Sequence, residues 1–399
     1  MTKTPQHNVP ELRFPEFEGE WEEKKLGEIS NRVKRKNSKL ESTKPLTISG
    51  QLGLIDQVEY FSKSVSSKNL EGYTLLKKGE FAYNKSYSKG YPLGAIKQLT
   101  RYEQGVLSSL YICFDFGNIV LADFMKNYFE SSKWHKEVSN IAVEGARNHG
   151  LLNIPVSDFF NIKLHITDDE EQEKIGTFFS KLDRQIELEE KKLELLEQQK
   201  KGYMQKIFSQ ELRFKDENGN EYPEWEEKKL GEEASITMGQ SPKSQNYTSD
   251  EKNTVLIQGN ADLNKGEIYP RIYTTQITKM AEVKDIILSI RAPVGEIAIA
   301  QIEACIGRGV CAIKGSKFIY IYLEYLKQIN YWKKITQGST FESISSNNIK
   351  NIIFYKPDKK EQAKIANFLS EIDKLIKDQS FKLEYLKQRK RGLLQKMFV

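Results

Sequence analysis

The residues of this chain best suited to recognition chemistry sit in loops that mix cations, amides and aromatic rings. Tyr83-Asn84-Lys85-Ser86-Tyr87-Ser88-Lys89-Gly90-Tyr91 leaves an apolar run and carries several such groups. Asn and Lys can bond base edges, Ser and Lys can bond phosphate, and Tyr can stack or bridge. Asn84, Lys85, Tyr87 and Lys89 are therefore candidate contacts, against the simpler reading of a solvated hairpin turn. Arg147, Asn148 and His149 form a second group between Gly145 and Gly150. Glycine lets a backbone approach a ligand closely, although a plain helix-to-strand connection fits the same stretch. The second half of the chain offers Lys243, Ser244 and Tyr247 in Ser241–Tyr247, Asn260 after Gln258-Gly259, Arg291, and Arg308 between two glycines. Ser339 and Thr340 in Gly338–Phe341, then Asn347 and Asn348, complete the set. Arg308 fits an ion-pair partner as well as a base reader, and Lys34-Arg35-Lys36 fits a phosphate contact or solvated surface.

Reaction centres are harder to find. The sequence holds no Gly-x-x-x-x-Gly-Lys-Ser/Thr phosphate loop and no Gly-x-Gly-x-x-Gly opening a helix. His7, His135, His149 and His165 form no His-x-x-x-His pair, and Cys113, Cys305 and Cys311 show no Cys-x-x-Cys spacing, so neither a metal site nor a disulfide framework is expected. There is no Asn-Pro-Pro-Tyr/Phe stretch of an amino-methyltransferase and no nuclease-like carboxylate cluster. Asp168, Asp169 and Glu170 suit a helix start, where carboxylates face the positive end of the dipole. No apolar run approaches the ~18 residues that span a bilayer, and the opening residues lack a signal-peptide core, which places the chain in the cytoplasm. The net charge of +6, from 61 basic and 55 acidic residues, gathers in the segment from Lys359 to Lys396. A nucleic-acid role must therefore rest on local clusters.

What must position these loops is a pair of long helices. Glu171 to Phe208 is rich in Glu, Lys, Leu and Gln, has no Pro, and repeats apolar residues at Ile175, Phe178, Leu182, Ile186, Leu193, Leu196, Tyr203 and Ile207. The stripe is narrow, like a coiled-coil seam, with a stutter near Leu182–Ile186. Glu361 to Phe398 aligns with it without a gap, placing Ile365, Phe368, Ile372, Ile376, Leu383, Leu386, Leu393 and Met397 on the equivalent stripe. Neither stripe can be buried alone, so the two helices are expected to pack on each other, antiparallel, rather than each on another chain.

The repeat reaches further. Glu11–Phe14 returns as Glu211–Phe214, and Trp21–Glu28 returns unchanged as Trp225–Glu232. Joining the end of the second helix to residue 9 would recreate the junction after Phe208, which implies a pseudo-cyclic tandem repeat. The expected fold class is α+β: two mixed α/β domains at residues 1–167 and 211–357, and long helices at 168–210 and 358–399. Expected strands are Leu46–Ile48, Phe81–Tyr83, Val106–Phe114 and Asn161–Ile166 in the first domain, around a helix at Ile119–Val138. The second repeats that order with Val255–Gln258, Ile286–Ile290, Gly309–Ile313, a helix at Tyr320–Ile335, and Asn351–Tyr355.

This plan resembles the specificity subunit of type I restriction-modification systems. The carriers are Trp-x4-Leu-Gly-Glu at Trp21–Glu28 and Trp225–Glu232, and Glu-Gln-x-Lys-Ile…Phe…Ser…Asp at Glu171–Asp183 and Glu361–Asp373. Lys-x-Gly-x-x-x-Gln-Lys-x-Phe at Lys200–Phe208 and Lys390–Phe398 completes them. The resemblance implies a non-catalytic subunit whose domains are target-recognition domains, each reading one half of a bipartite double-stranded DNA site. It implies helices that set the spacing and dock two methyltransferase (modification) subunits, with restriction (helicase-nuclease) subunits joining later. S-adenosylmethionine and ATP would then bind the partners, and this chain would hold no cofactor. The recognition domains are the family's variable part, so the resemblance transfers no base-contacting residue. A coiled-coil scaffold with protein-binding domains is the alternative from another class.

Overall fold

The computed structural model describes residues 8–62, 69–88, 90–144, 152–336 and 343–399. Two compact units emerge: residues 1–190 with 381–399, and residues 191–380. The long helices Asp169–Phe208 and Lys359–Lys396 each contribute to both units.

In the first unit a four-stranded antiparallel sheet runs in the order Asn31–Arg32, Tyr111–Asp115, Phe81–Asn84, Ala95–Gln98. Two strand pairs, Leu46–Ser49 with Gly53–Asp56 and Thr74–Lys77 with Gln104–Leu107, accompany it. One face packs Phe81, Tyr83 and Phe114 against the helix Ala122–Glu130 and Trp134. The opposite face supplies Ala82, Ala95 and Cys113 to a separate small core with Leu46 and Leu107. The alternation along Phe81–Ala82–Tyr83 is the period-two signature of a strand with both faces covered. The single run expected at Val106–Phe114 is two strands with a turn at Ser108–Tyr111. The single helix expected at Ile119–Val138 is also two, ending at Glu130 and resuming at His135. There the Ser131 hydroxyl donates to the Tyr128 carbonyl, while the Trp134 indole donates to the Phe129 carbonyl from a buried position.

The second unit holds a six-stranded sheet built on Ser235–Met238, Val310–Lys314, Ile286–Ser289 and Ile297–Ile299, extended by Glu267–Ile268 and Leu263–Asn264. A five-stranded sheet centres on Thr254–Ile257 and Ala304–Ile306, which run parallel. Its helix is likewise broken, into Lys317–Gln328 and Tyr331–Ile335, by Asn330 in the left-handed region at φ 55°.

Both units fasten their globular part to helix in the same way. Glu22–Lys25 pairs antiparallel with Lys163–Ile166, and Glu226–Lys229 with Ile353–Lys356. Several residues of the shared opening have a visible task. Leu26 and Leu230 are fully buried, and their N–H groups donate to the carbonyls of Ile162 and Ile352. Gly27 and Gly231 lie so close to Phe160 and Lys350 that a Cβ would stand 3.1 and 2.9 Å from them. Glu28 and Glu232 accept from the backbone N–H of Lys25 and Lys229 at the start of a helical turn. Trp21 and Trp225 donate their indole N–H to Glu171 and Glu361, at 3.1 and 2.9 Å. The same carboxylates take two bonds each from Arg13 and Arg213, whose guanidinium groups also donate to carbonyls of residues 18 and 19, and of 222 and 223. Hydrogen bonding to the carboxylate holds both arginines above their ordinary pKa. Both carboxylate side chains are fully buried. A buried charge is tolerated only when paired and fully bonded, and each is.

Within each unit the two helix segments run antiparallel. Lys390 meets Asp183 at 2.5 Å and Lys382 meets Glu189 at 2.5 Å in the first, while Lys200 meets Asp373 at 2.6 Å in the second. Asp183 and Asp373 are equivalent positions of the repeat, as are Lys390 and Lys200, so one contact is made twice. Asp168 caps the first helix by accepting from the Glu171 N–H. The narrow seam expected from the sequence holds in mid-helix, where Leu193 and Leu196 are half-buried. It fails at the ends. Phe179, Met204, Leu369, Leu394 and Phe398 are buried although they lie off that stripe. There each helix packs on a globular domain as well as on its partner helix, and that needs a broader apolar face. Phe398 illustrates this, with its ring against Trp21, Phe124, Tyr128 and Phe179. Phe208 plays that part in the second unit against Phe318, Tyr322 and Tyr325.

Candidate nucleic-acid interface

The second unit gathers its candidates best. A polar cleft of about 190 Å3 is lined by Ser241, Gln258, Gly259, Asn260, Arg291, Ala292, Arg308 and Gly309. Strand ends position it. Gln258 follows the strand Thr254–Ile257, Arg291 follows Ile286–Ser289, and Arg308 precedes Val310–Lys314. Close backbone approach requires Gly309, where a Cβ would stand 1.9 Å from the Gln258 carbonyl oxygen, and makes Gly307 tight, with a Cβ there 3.2 Å from the Ile257 carbonyl oxygen. The Arg308 N–H donates to Ser241 Oγ at 3.0 Å. Arg291 is set by an antiparallel bridge to Ser343 and by the buried Ser289, whose hydroxyl donates to the Pro293 carbonyl at 2.9 Å and accepts from the Glu296 N–H at 2.8 Å. Both guanidinium groups are exposed and, among the described residues, make no ion pair. Among the described residues Arg308 thus has no carboxylate partner.

Asp262 holds the amide side of the cleft. Its carboxylate accepts the backbone N–H of Gln258 at 2.7 Å and of Gly259 at 3.2 Å, and takes Nε of Arg271 at 3.0 Å. Sequence reasoning passed over Asp262. The signal was present in an acid three residues after Gly259, the spacing of a capping arrangement.

Lys243, Ser244 and Tyr247 lie on the adjoining segment. The Lys243 N–H donates to Gln276 Oε1 at 3.0 Å, Ser244 opens a short 3-10 turn, and Tyr247 donates its hydroxyl to the Pro242 carbonyl at 3.3 Å. The side chains of Lys243 and Ser244 are exposed. Asn347 is exposed in the helix Ser346–Lys350. Asn348 does a different job: its amide oxygen accepts from Ser345 N–H as half of a capping box, and the Asn348 N–H returns to Ser345 Oγ. That capping bond engages the amide oxygen of Asn348.

In the first unit the strands Phe81–Asn84 and Ala95–Gln98 form a hairpin, and the candidates lie in its connection. Asn84 Oδ1 accepts from the Ser86 N–H at 3.0 Å, and the Lys85 carbonyl accepts from the Leu152 N–H at 3.0 Å. Tyr87 projects with 61% of its surface exposed. Tyr91, by contrast, is tied down through its hydroxyl to the Gly50 carbonyl at 2.6 Å. Arg35 is also engaged, its Nη2 making two bonds to Glu80 at 2.7 and 2.9 Å. Lys89, Arg147, Asn148, His149, Ser339 and Thr340 lie outside the described residues.

Two exposed guanidinium groups, without an ion pair among the described residues, thus stand beside two amides on a scaffold of strand ends, an arrangement able to bond a polar ligand. Residues 222–385 match the family described as the type I restriction modification DNA specificity domain. A putative type I restriction enzyme specificity subunit (MjaX) of Methanocaldococcus jannaschii is 32% identical over 287 residues, covering 68% of this chain and 65% of that protein's own length. The MjaVIII specificity subunit of the same archaeon is 25% identical over 318 residues, 73% of each chain. Two solved structures share the fold. One, described with the complex assembly and conformational transition of a type I system, aligns with a TM-score of 0.62 at 21% identity, over 94% of this chain and 96% of that one. The other, a type I S subunit from M. genitalium, gives 0.58 at 16% identity, over 98% and 99%. Over about two thirds of its length the chain is thus similar to specificity subunits of type I restriction-modification systems.

Proposed function

We propose that this chain is the non-catalytic DNA-recognition subunit of a type I restriction-modification complex, each unit reading one half of a bipartite double-stranded site. The observation that carries this reading is the pairing of an identical anchor with dissimilar loops. Arg13–Glu171–Trp21 and Arg213–Glu361–Trp225 repeat bond for bond, while the loops they support differ in sequence. Two readers of unlike half-sites need that combination.

The long helices set the gap between half-sites and dock two methyltransferase subunits, with helicase-nuclease subunits added to the assembly. A helix of 40 residues is about 60 Å long at ~1.5 Å per residue, ample against the ~34 Å of one DNA turn. S-adenosylmethionine and ATP bind those partners, and the complex works in the cytoplasm. Among the described residues no helix is long and apolar enough to cross a membrane.

Selection from a random duplex library by the full chain, co-purified with its methyltransferase subunit, tests the reading. Enrichment of two short motifs at a fixed separation is the expected outcome. Recovery of unselected sequence would overturn it in favour of a scaffold.

A further inference from the structure

We infer that the cleft of the second unit reads purines in the major groove, with Arg291 and Arg308 taking guanine and Gln258 and Asn260 taking adenine, and that Asp262 is the residue that positions the amide pair. The inference rests on the proposed DNA-reading role and adds the base classes and the residue that sets their register.

Side-chain availability is the first argument. Several polar side chains of this unit are already committed: Arg213 to Glu361, Arg271 to Asp262, Lys327 to Glu296, Asn246 to Gln276, Asn348 to Ser345. The two guanidinium groups and two carboxamides of the cleft have no side-chain hydrogen bond among the described residues, although they share one concavity. Guanidinium offers paired donors to O6 and N7 of guanine, and a carboxamide offers one donor and one acceptor to N6 and N7 of adenine. Among the described residues no carboxylate lines the cleft, so none of them would accept from cytosine or repel phosphate.

Rigidity is the second. Base readout needs side chains held to fractions of an ångström by a supporting shell. Asp262 is 3% exposed and grips two consecutive backbone N–H groups, those of Gln258 and Gly259, beside the amide side chains. Arg271 Nε completes its bonding from the side. On the opposite wall Ser241 Oγ fixes the backbone of Arg308. Asp262 itself does not line the cleft. It acts through the loop, as a positioning residue.

The test reads each base position separately. The full chain with its methyltransferase subunit is put through selection from a random duplex library, as wild type and as Arg308→Gln, Arg291→Gln, Asn260→Ala and Asp262→Asn. Each arginine substitution should lower preference for one guanine by roughly 5- to 150-fold in one half-site only. Asn260→Ala should relax an adenine in that same half. Asp262→Asn should blur the amide-read positions while leaving the guanines and the other half-site sharp. A fold defect would instead weaken all positions of that half together. Arg308→Gln and Asn260→Ala alter exposed or half-exposed side chains, so they report even if Asp262→Asn destabilises. An enriched motif unchanged by those two surface substitutions would overturn this inference and leave the DNA-reading role standing. Absence of any motif with the wild type would overturn the role itself.

Discussion

Glu171 and Glu361 each accept from one arginine and one tryptophan in a site closed to solvent. Glu→Gln at either position keeps the shape but leaves a guanidinium short of its counter-charge. Breaking a buried pair from one side costs about 3–5 kcal/mol, so urea unfolding should lose stability on that order. Either change should weaken the unit that contains it. The cysteines offer an independent check of packing. Burial pushes the Cys113 and Cys311 thiols up to about 12, so both stay protonated at pH 8. Neither should react with a maleimide in the folded chain, and both should react once it is unfolded. At this scale the sequence revealed side-chain chemistry and hid its use. Arg291, Arg308 and Asn260 were visible as candidates from type and glycine context. The commitment of Arg35 to Glu80 and of Asn348 to Ser345 was not, because partners 45 residues away, or a cap three residues away, depend on where the chain turns.

The long helices were legible because their pattern persists over ten turns and recurs at a fixed offset of 190 residues. Their broadened ends were not. A periodic stripe reports one neighbour, whereas Phe179 and Phe398 face a helix and a globular core together. The breaks at Ser131–Trp134 and Asn330 were missed for a related reason: neither contains Pro or Gly, and local propensity alone does not forbid helix there. The proposed spacer role of these elements yields a direct prediction. Four residues inserted into each long helix at facing positions add about 6 Å. The separation of the two enriched motifs should then grow by one or two base pairs, read by the same library selection. An unchanged separation would count against a spacer.

For the whole molecule, the repeat predicted a chain that closes on itself, and the first unit bears this out. Leu12 N–H donates to the Lys396 carbonyl at 2.8 Å, and Lys396 Nζ reaches Glu11 at 2.7 Å. Leu212 N–H makes the corresponding bond to the Lys206 carbonyl at 3.0 Å in the second unit, where the backbone is continuous. A circular permutant opened near Gln210, with Val399 linked to Val9 by a short connector, should therefore fold with unchanged circular dichroism and select the parental motif. Loss of either would contradict the closure.

The Trp-Arg-Glu fastening is built only from residues at the margins of each unit, and none of them lines the cleft. Drift in the loops between Glu28 and Thr167, or between Glu232 and Pro357, can proceed without loosening those bonds. Grafting such a stretch from a relative onto these margins should transplant one half of a target preference and spare the other. Mutation can thus rewrite what is recognised while the frame that presents it stays as it was.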